Sequence, residues 1–180
     1  MATPLLTFSV GPVICDILVA DITTLAVDAI VNAANTALAP GAGVCGAIHR
    51  AAGPQLADAC RKVAPCPTGE ARITPGFALN ARYVIHAVGP VWHSGTAGEA
   101  AALASCYRNS LALARDHGLA SIAFPAISTG VYRFPPELAA DIAVATVGEV
   151  MAATPAIERV IFACFDKATA SLYRARLTGE

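Results

Sequence analysis

The chain predicts an α/β layered domain, a largely parallel sheet with helices on both faces. Three observations lead there. Short β-branched runs alternate with Ala- and Leu-rich stretches of helical length. Gly, Pro, Asn and Asp bound those runs. At 180 residues and 56% hydrophobic composition, the chain can bury a substantial core and is far from the signature of disorder. No repeat, linker or low-complexity tract divides it, so residues 1–180 are expected to form one domain.

The elements follow in order. Ile14–Val19 and Ala26–Val31 read as buried strands. Gly43–Ala52 reads as a helix entered from a small-residue turn and closed by Gly53-Pro54. Pro54 then suits the first turn of a second helix, Gln55–Val63. After a breaker-rich loop, Glu70–Phe77 and Tyr83–Val88 read as strands, the second ended by Gly89-Pro90. Gly98–His117 is a helix with Gly118 in the C′ position. Ser121–Ala126 is a strand, and the loop Ile127–Phe134 leads through Pro135-Pro136 into a helix, Glu137–Ala153. Val160–Phe165 is the last strand and Lys167–Leu177 the last helix.

Composition excludes several function classes. Net charge is −1 and no Lys or Arg precedes Arg50, so no electrostatic footprint for nucleic acid or an anionic membrane exists. No apolar run reaches the eighteen or so residues that span a bilayer. The apolar N-terminus has no positive n-region and is interrupted by Gly11-Pro12 and Asp16, which disfavours a signal peptide. The six cysteines show no metal-type spacing and read as reduced, buried thiols of a cytoplasmic protein.

Two loops carry the chemistry. Pro40-Gly-Ala-Gly-Val-Cys-Gly46 leads into a helix whose early N–H groups lack intrahelical partners, and small residues let a phosphate approach that backbone. Ser128-Thr-Gly-Val-Tyr132 lies between a strand and a helix and offers similar donors. Ligands in such folds collect at the carboxyl ends of strands, so the pair suits a diphosphate held from two sides. The P-loop GxxxxGK[ST] is absent and no GxGxxG is read in this stretch, so ATPase and Rossmann dehydrogenase readings lose support. A serine hydrolase lacks its GxSxG elbow. Asn32 and Asn35 are read as lying just past a strand, one amide serving the loop backbone and one a ligand hydroxyl. Asp21 either caps the following turn or accepts from an exocyclic amine, and Phe165 either stacks on a base or fills the core. His86, His93 and His117 read as structural or surface histidines.

The stretches ADITTLAVDAIVNAAN, GVCGAIHRAAG, CPTGEARITPG, VIHAVGPVW, FPAISTGVY and CFDKATASLYRARL, in this order, resemble the macrodomain family. Within it they resemble the MacroD-like branch of ADP-ribosyl hydrolases, close to its bacterial O-acetyl-ADP-ribose deacetylases. The resemblance implies a three-layer α/β/α sandwich with a six-stranded mixed sheet and ADP-ribose bound across the strand ends. It implies that Asp21 binds the adenine amine, with the Ile22 amide nearby and Phe165 against the ring. Asn35 would hold the distal ribose, and Tyr132 would cover it. Gly43, Val44 and Gly46 would line the diphosphate on one side, with Ser128, Thr129, Gly130 and Val131 on the other. The implied partners are ADP-ribose, its O-acyl derivatives and ADP-ribosylated proteins, with no cofactor and no metal.

Three departures from the family pattern stand out. Ala20 replaces the glycine before Asp21, and Pro40-Gly41-Ala42-Gly43 shortens a glycine run, stiffening the loop. Cys45 stands where active MacroD-like enzymes carry an aspartate thought to position or activate water. Several readings of Cys45 stay open. The site is a weakened hydrolase, with Asn35 and the bound phosphate assisting water. Or Cys45 pairs with His49, four residues on, as a base or nucleophile, since a helix start lowers a thiol's pKa. A zinc site from this pair needs further ligands that no neighbouring motif offers. Otherwise the module only binds ADP-ribose.

Overall fold

Successive side chains of a strand point to opposite faces, and the central strands here are apolar at consecutive positions, so both faces of the sheet need covering. The computed structural model describes residues 3–153 and 156–178. Its elements are β1 (Leu6–Val10), β2 (Val13–Val19), β3 (Ala29–Ala33), α1 (Gly43–Ala52), α2 (Gln55–Val63), β4 (Ala71–Pro75), β5 (Tyr83–Ala87), α3 (Glu99–Asp116), β6 (Ser121–Phe124), α4 (Pro136–Ala153), β7 (Arg159–Cys164) and α5 (Lys167–Thr178). A 3₁₀ turn, Ile22–Thr24, follows β2.

The described strands form one sheet in the order β1-β2-β7-β6-β3-β5-β4. The inner strands run parallel, and β1 and β4 pair antiparallel at the edges. Ile30, Val84, Ala123 and Ile161 enter one core with residues of α1 and α2. Their chain neighbours Val31, Ile85, Ile122 and Phe162 enter the other, with α3, α4 and α5. Each fully buried large aliphatic or aromatic side chain stabilises the fold by about 1.5–3 kcal/mol, so these two cores dominate its stability.

The result is a three-layer α/β/α sandwich around a mixed sheet, with seven strands rather than the expected six. The additional strand is β1, paired from Leu6 with Ile17 to Val10 with Val13. Its two-residue turn places Gly11 at φ +57°, the positive value that tight hairpins require at the first central position. A second correction concerns β3, which starts at Ala29 rather than Ala26 and contains Asn32. Asp28 sets that start. Its carboxylate accepts from the Ala120 and Ser121 amides, the Ser121 hydroxyl and Arg82, tying the strand entry to β6 and β5. The end of α3 matches expectation: Gly118 takes φ +63°, and the Leu119 amide reaches back to the Ala114 carbonyl at 2.9 Å.

Among the described residues, no helix is long and apolar enough to cross a membrane. All six cysteines are free and buried.

The loop between β5 and α3 is organised by one carboxylate. Glu99, buried at the start of α3, accepts from the amides of His93, Ser94 and Gly95 on one oxygen and from Ala97 on the other. Its own amide, with those of Ser94, Gly95 and Ala97, holds the carboxyl down at about 2. Because the folded value lies below the ordinary 4.5, this stabilisation is complete above that pH and is lost as pH falls towards 2. Thermal melts should therefore show wild type losing more Tm than Glu99→Gln between pH 5 and 2.5, the two converging at the acid end. Parallel curves would show that the carboxylate carries no such linkage.

Candidate functional site

β3 and β6 are neighbours in the sheet, yet the chain leaves them in opposite directions, β3 towards α1 on one face and β6 towards α4 on the other. Diverging connections at adjacent strand ends open a crevice, the usual ligand position in α/β sheets. A cleft of ≈ 360 Å³ occupies it, a volume typical of small-molecule sites.

The first wall is the loop entering α1. The Gly46 amide bonds back to the Ala42 carbonyl at 3.3 Å, but among the described residues no protein acceptor takes the amides of Gly43, Val44 and Cys45. All three residues line the cleft, so the positive end of the helix faces it. Gly43 adopts φ +58°, which a side chain would strain. Gly46 serves space instead: a Cβ there would lie 2.4 Å from the Gly41 carbonyl oxygen. Gly41, Gly43 and Gly46 do stand at the GxGxxG spacing between a strand and a helix, contrary to the sequence reading. The unit is still no Rossmann crossover, because α1 leads through α2 to β4, an antiparallel edge strand.

The second wall is the loop after β6. Ser128 takes φ +66°, held by the Phe134 amide on its carbonyl at 2.9 Å, and the Thr129 hydroxyl donates to Ala126 at 2.8 Å. Among the described residues, no protein acceptor takes the amides of Gly130, Val131 and Tyr132. Among the described residues, the buried Ser128 hydroxyl finds no partner. It sits against Gly89, where a Cβ would approach it to 2.1 Å. The sequence marks Gly89 only as a strand end; close backbone approach is the reason for its glycine. Trp92 braces this wall, its amide donating to the Tyr132 carbonyl at 2.8 Å and its ring packing edge-on to Phe134 at 4.7 Å.

Both side-chain amides fall near the first wall, but in different settings. Asn35 lines the cleft and is bonded to the loop, its Nδ2 donating to the Ala39 carbonyl at 2.9 Å and its Oδ1 accepting from the Ala39 amide at 3.0 Å. Asn32 is buried inside β3, with its Nδ2 3.1 Å from His86 Nδ1 and 3.7 Å from Cys45 Sγ. Cys45 lines the cleft. His49, one turn further along α1, is buried, its Nε2 finds no partner among the described residues, and burial lowers its pKa. The His86 ring, 6.5 Å from that of His49, is fully buried; desolvation and then His49 hold its pKa near 3. His86 is thus part of the site's support, which its apolar strand context concealed. Among the described residues, no group of three or more His, Cys, Asp or Glu is placed to hold a metal.

The remaining expected residues lie at the neighbouring strand ends. Asp21 caps the 3₁₀ turn, accepting from the Thr23 amide at 2.9 Å and hydroxyl at 2.7 Å. Phe165, directly after β7, is 91% exposed, which removes the core alternative. The two sit close in the sheet, since Val19 of β2 is paired with Cys164 of β7.

A strand-end cleft walled by free amides invites comparison with known proteins. The Macro domain family matches residues 31–143. The chain belongs to this family. A macro domain-containing protein of Ralstonia nicotianae is 62% identical over 158 residues, covering 88% of this chain and 91% of the relative. The O-acetyl-ADP-ribose deacetylase of Enterobacter cloacae subsp. cloacae is 54% identical over 167 residues, covering 91% and 93%. Among solved structures, the Oceanobacillus iheyensis macrodomain with ADP superposes with TM-score 0.93 at 40% identity, covering 97% of this chain and 95% of that one. The Trypanosoma brucei macrodomain in complex with ADP-ribose gives TM-score 0.86 at 41% identity, covering 91% and 68%.

Within this macro domain, the packing at Gly46 reverses an ordinary expectation. A Gly→Ala change in a helix normally stabilises by about 0.5–1 kcal/mol. Here Gly46→Ala should lower Tm, because the Gly41 carbonyl must move. A Tm equal to or above wild type in thermal melts would contradict that packing.

Proposed function

We propose that the protein binds ADP-ribose and hydrolyses its acyl esters without a metal. The substrates would be O-acetyl-ADP-ribose or ADP-ribose esterified to acidic side chains of proteins. The observation that carries the reading is two rows of main-chain amides, on opposite walls of one cleft, that no protein acceptor takes among the described residues. Among the described residues, no Asp, Glu, Lys or Arg lines that cleft, so oriented amides and the start of α1 would meet the pyrophosphate charge. Gly43 and Val44 would hold it from one side, and Ser128, Gly130 and Val131 from the other; Gly46 and Thr129, expected beside them, turn their amides back to the Ala42 and Ala126 carbonyls and do not line the cleft. The adenine would extend towards Asp21, the Ile22 amide and the exposed Phe165 ring. The distal ribose would sit between Asn35 and Tyr132.

In the reaction, a water oxygen adds to the ester carbonyl carbon and the bond to the ribose oxygen breaks. ADP-ribose recovers its hydroxyl, the acid leaves as carboxylate, and one proton passes to solvent. Asn35 orients the ribose and His49 orders the wall behind Cys45. The relatives named O-acetyl-ADP-ribose deacetylase, at 54–55% identity, favour catalysis. One observation favours a non-catalytic reader: Cys45, not a carboxylate, stands in the first wall of the cleft. Residues 1–180 would act as one domain, and the six buried free thiols fit a reducing, cytoplasmic setting.

Calorimetry with ADP-ribose tests what both readings share; no heat of binding at millimolar ligand would dismiss them together. Asn35→Ala should weaken that binding about tenfold or more, since a ligand contact and the loop's anchoring bonds go at once. Turnover of O-acetyl-ADP-ribose separates the readings. With substrate assistance sufficient, Cys45→Ala keeps kcat within about threefold, far from the roughly 10²–10⁴-fold loss of a positioned base. Near-zero wild-type turnover that Cys45→Asp raises steeply would instead identify a reader.

A further inference from the structure

The core beneath α1 and α2 contains a line of polar groups where apolar residues surround it. Asn32 and His86, 1% and 0% exposed, are register partners on β3 and β5. Thr74 Oγ1 of β4 lies 2.9 Å from His86 Nε2. Asn32 Nδ2 lies 3.1 Å from His86 Nδ1 and 3.7 Å from Cys45 Sγ. Cys45 Sγ lies 3.7 Å from the Ala39 carbonyl oxygen, the acceptor that Asn35 Nδ2 also uses. The line therefore runs from an edge strand, through the middle of the core, to the first wall of the cleft. Buried polar groups cost free energy unless they are paired, and each member of this line has a partner in it, while among the described residues the Asn32 Oδ1 is buried without one.

Valence sets the direction of each bond. A carboxamide nitrogen only donates, so His86 Nδ1 accepts and the ring proton is on Nε2, facing Thr74 Oγ1. Cys60 Sγ stands beside that nitrogen at 3.5 Å. Burial and the neighbouring His49 keep the ring neutral. Asn32 turns its other N–H to the Cys45 sulfur, and the thiol hydrogen goes to the Ala39 carbonyl.

We propose that His86 is a positioning residue: through Asn32 and Cys45 it fixes Ala39, and with it the Asn35 carboxamide in the cleft wall. Its functional consequence rests on the ADP-ribose reading above. The role also accounts for a thiol at position 45, which donates to Ala39 as an ionised carboxylate could not.

Two measurements test the relay. Long-range ¹⁵N–¹H NMR of the His86 ring in the wild-type protein should show Nε2–H with Nδ1 unprotonated across about pH 5–8. A proton on Nδ1 would reverse the Asn32 amide and overturn the proposal. Separately, His86→Leu, verified as folded by its melt, should raise the Kd for ADP-ribose and the KM for O-acetyl-ADP-ribose by about 3- to 10-fold, with kcat within about twofold. His86→Asn, whose carboxamide oxygen can accept from Asn32, should recover most of that loss. Wild-type affinity in folded His86→Leu would overturn the proposal. If the wild type binds no ADP-ribose, the reading of the cleft fails, and the tautomer alone decides the relay.

Discussion

Main-chain donors without acceptors at the parting of β3 and β6 are the constraint on which the site depends. A helix start cannot satisfy its own first amides, and a short strand-to-helix loop satisfies few of its own. The sheet order places one such helix start and one such loop side by side, on connections that depart to opposite faces. Neither wall needs a charged side chain to attract an anion, and among the described residues none lines the cleft. The polarity of the site is therefore a property of the backbone, and the side chains serve mainly to hold that backbone still.

Holding it still takes different means on the two sides. The Ser128 wall is kept in a left-handed conformation by the Phe134 amide and the tight fit against Gly89, and Trp92 couples it to the loop after β5. That loop is in turn gathered around Glu99. The Cys45 wall is held from beneath, by a polar line inside the core that also includes two residues of edge and neighbouring strands, Thr74 and His86. Side chains deep in the protein thus bear on a cleft they do not line.

This arrangement changes how Cys45 is understood. From the family pattern it reads as a lost acid; in the fold it is a hydrogen-bonded link between Asn32 and Ala39. The two descriptions are compatible. A residue can cease to supply a carboxylate and still be required where it stands, because the wall it ties down carries the amides.

Much of the architecture could be read from residues alone. Short apolar runs bounded by turn formers marked every described strand but β1, and glycine and proline punctuation marked the five described helices to within about two residues. β1 escaped because its one-sided burial, Leu6, Phe8 and Val10 turned inward against Thr7 and Ser9 turned outward, makes a weak signal beside Gly11-Pro12. Asn32 was placed outside its strand because an amide is uncommon in a buried β run. His86 looked ordinary for the same reason that it matters: sequence shows an apolar neighbourhood and conceals a polar partner on another strand. Local chemistry, then, determined which loops could offer amides and which residues were able to bond. Only the tertiary structure decided that those amides face one cleft and that Thr74, His86, Asn32 and Cys45 meet, because both facts depend on strand order and register, which link residues distant in the chain.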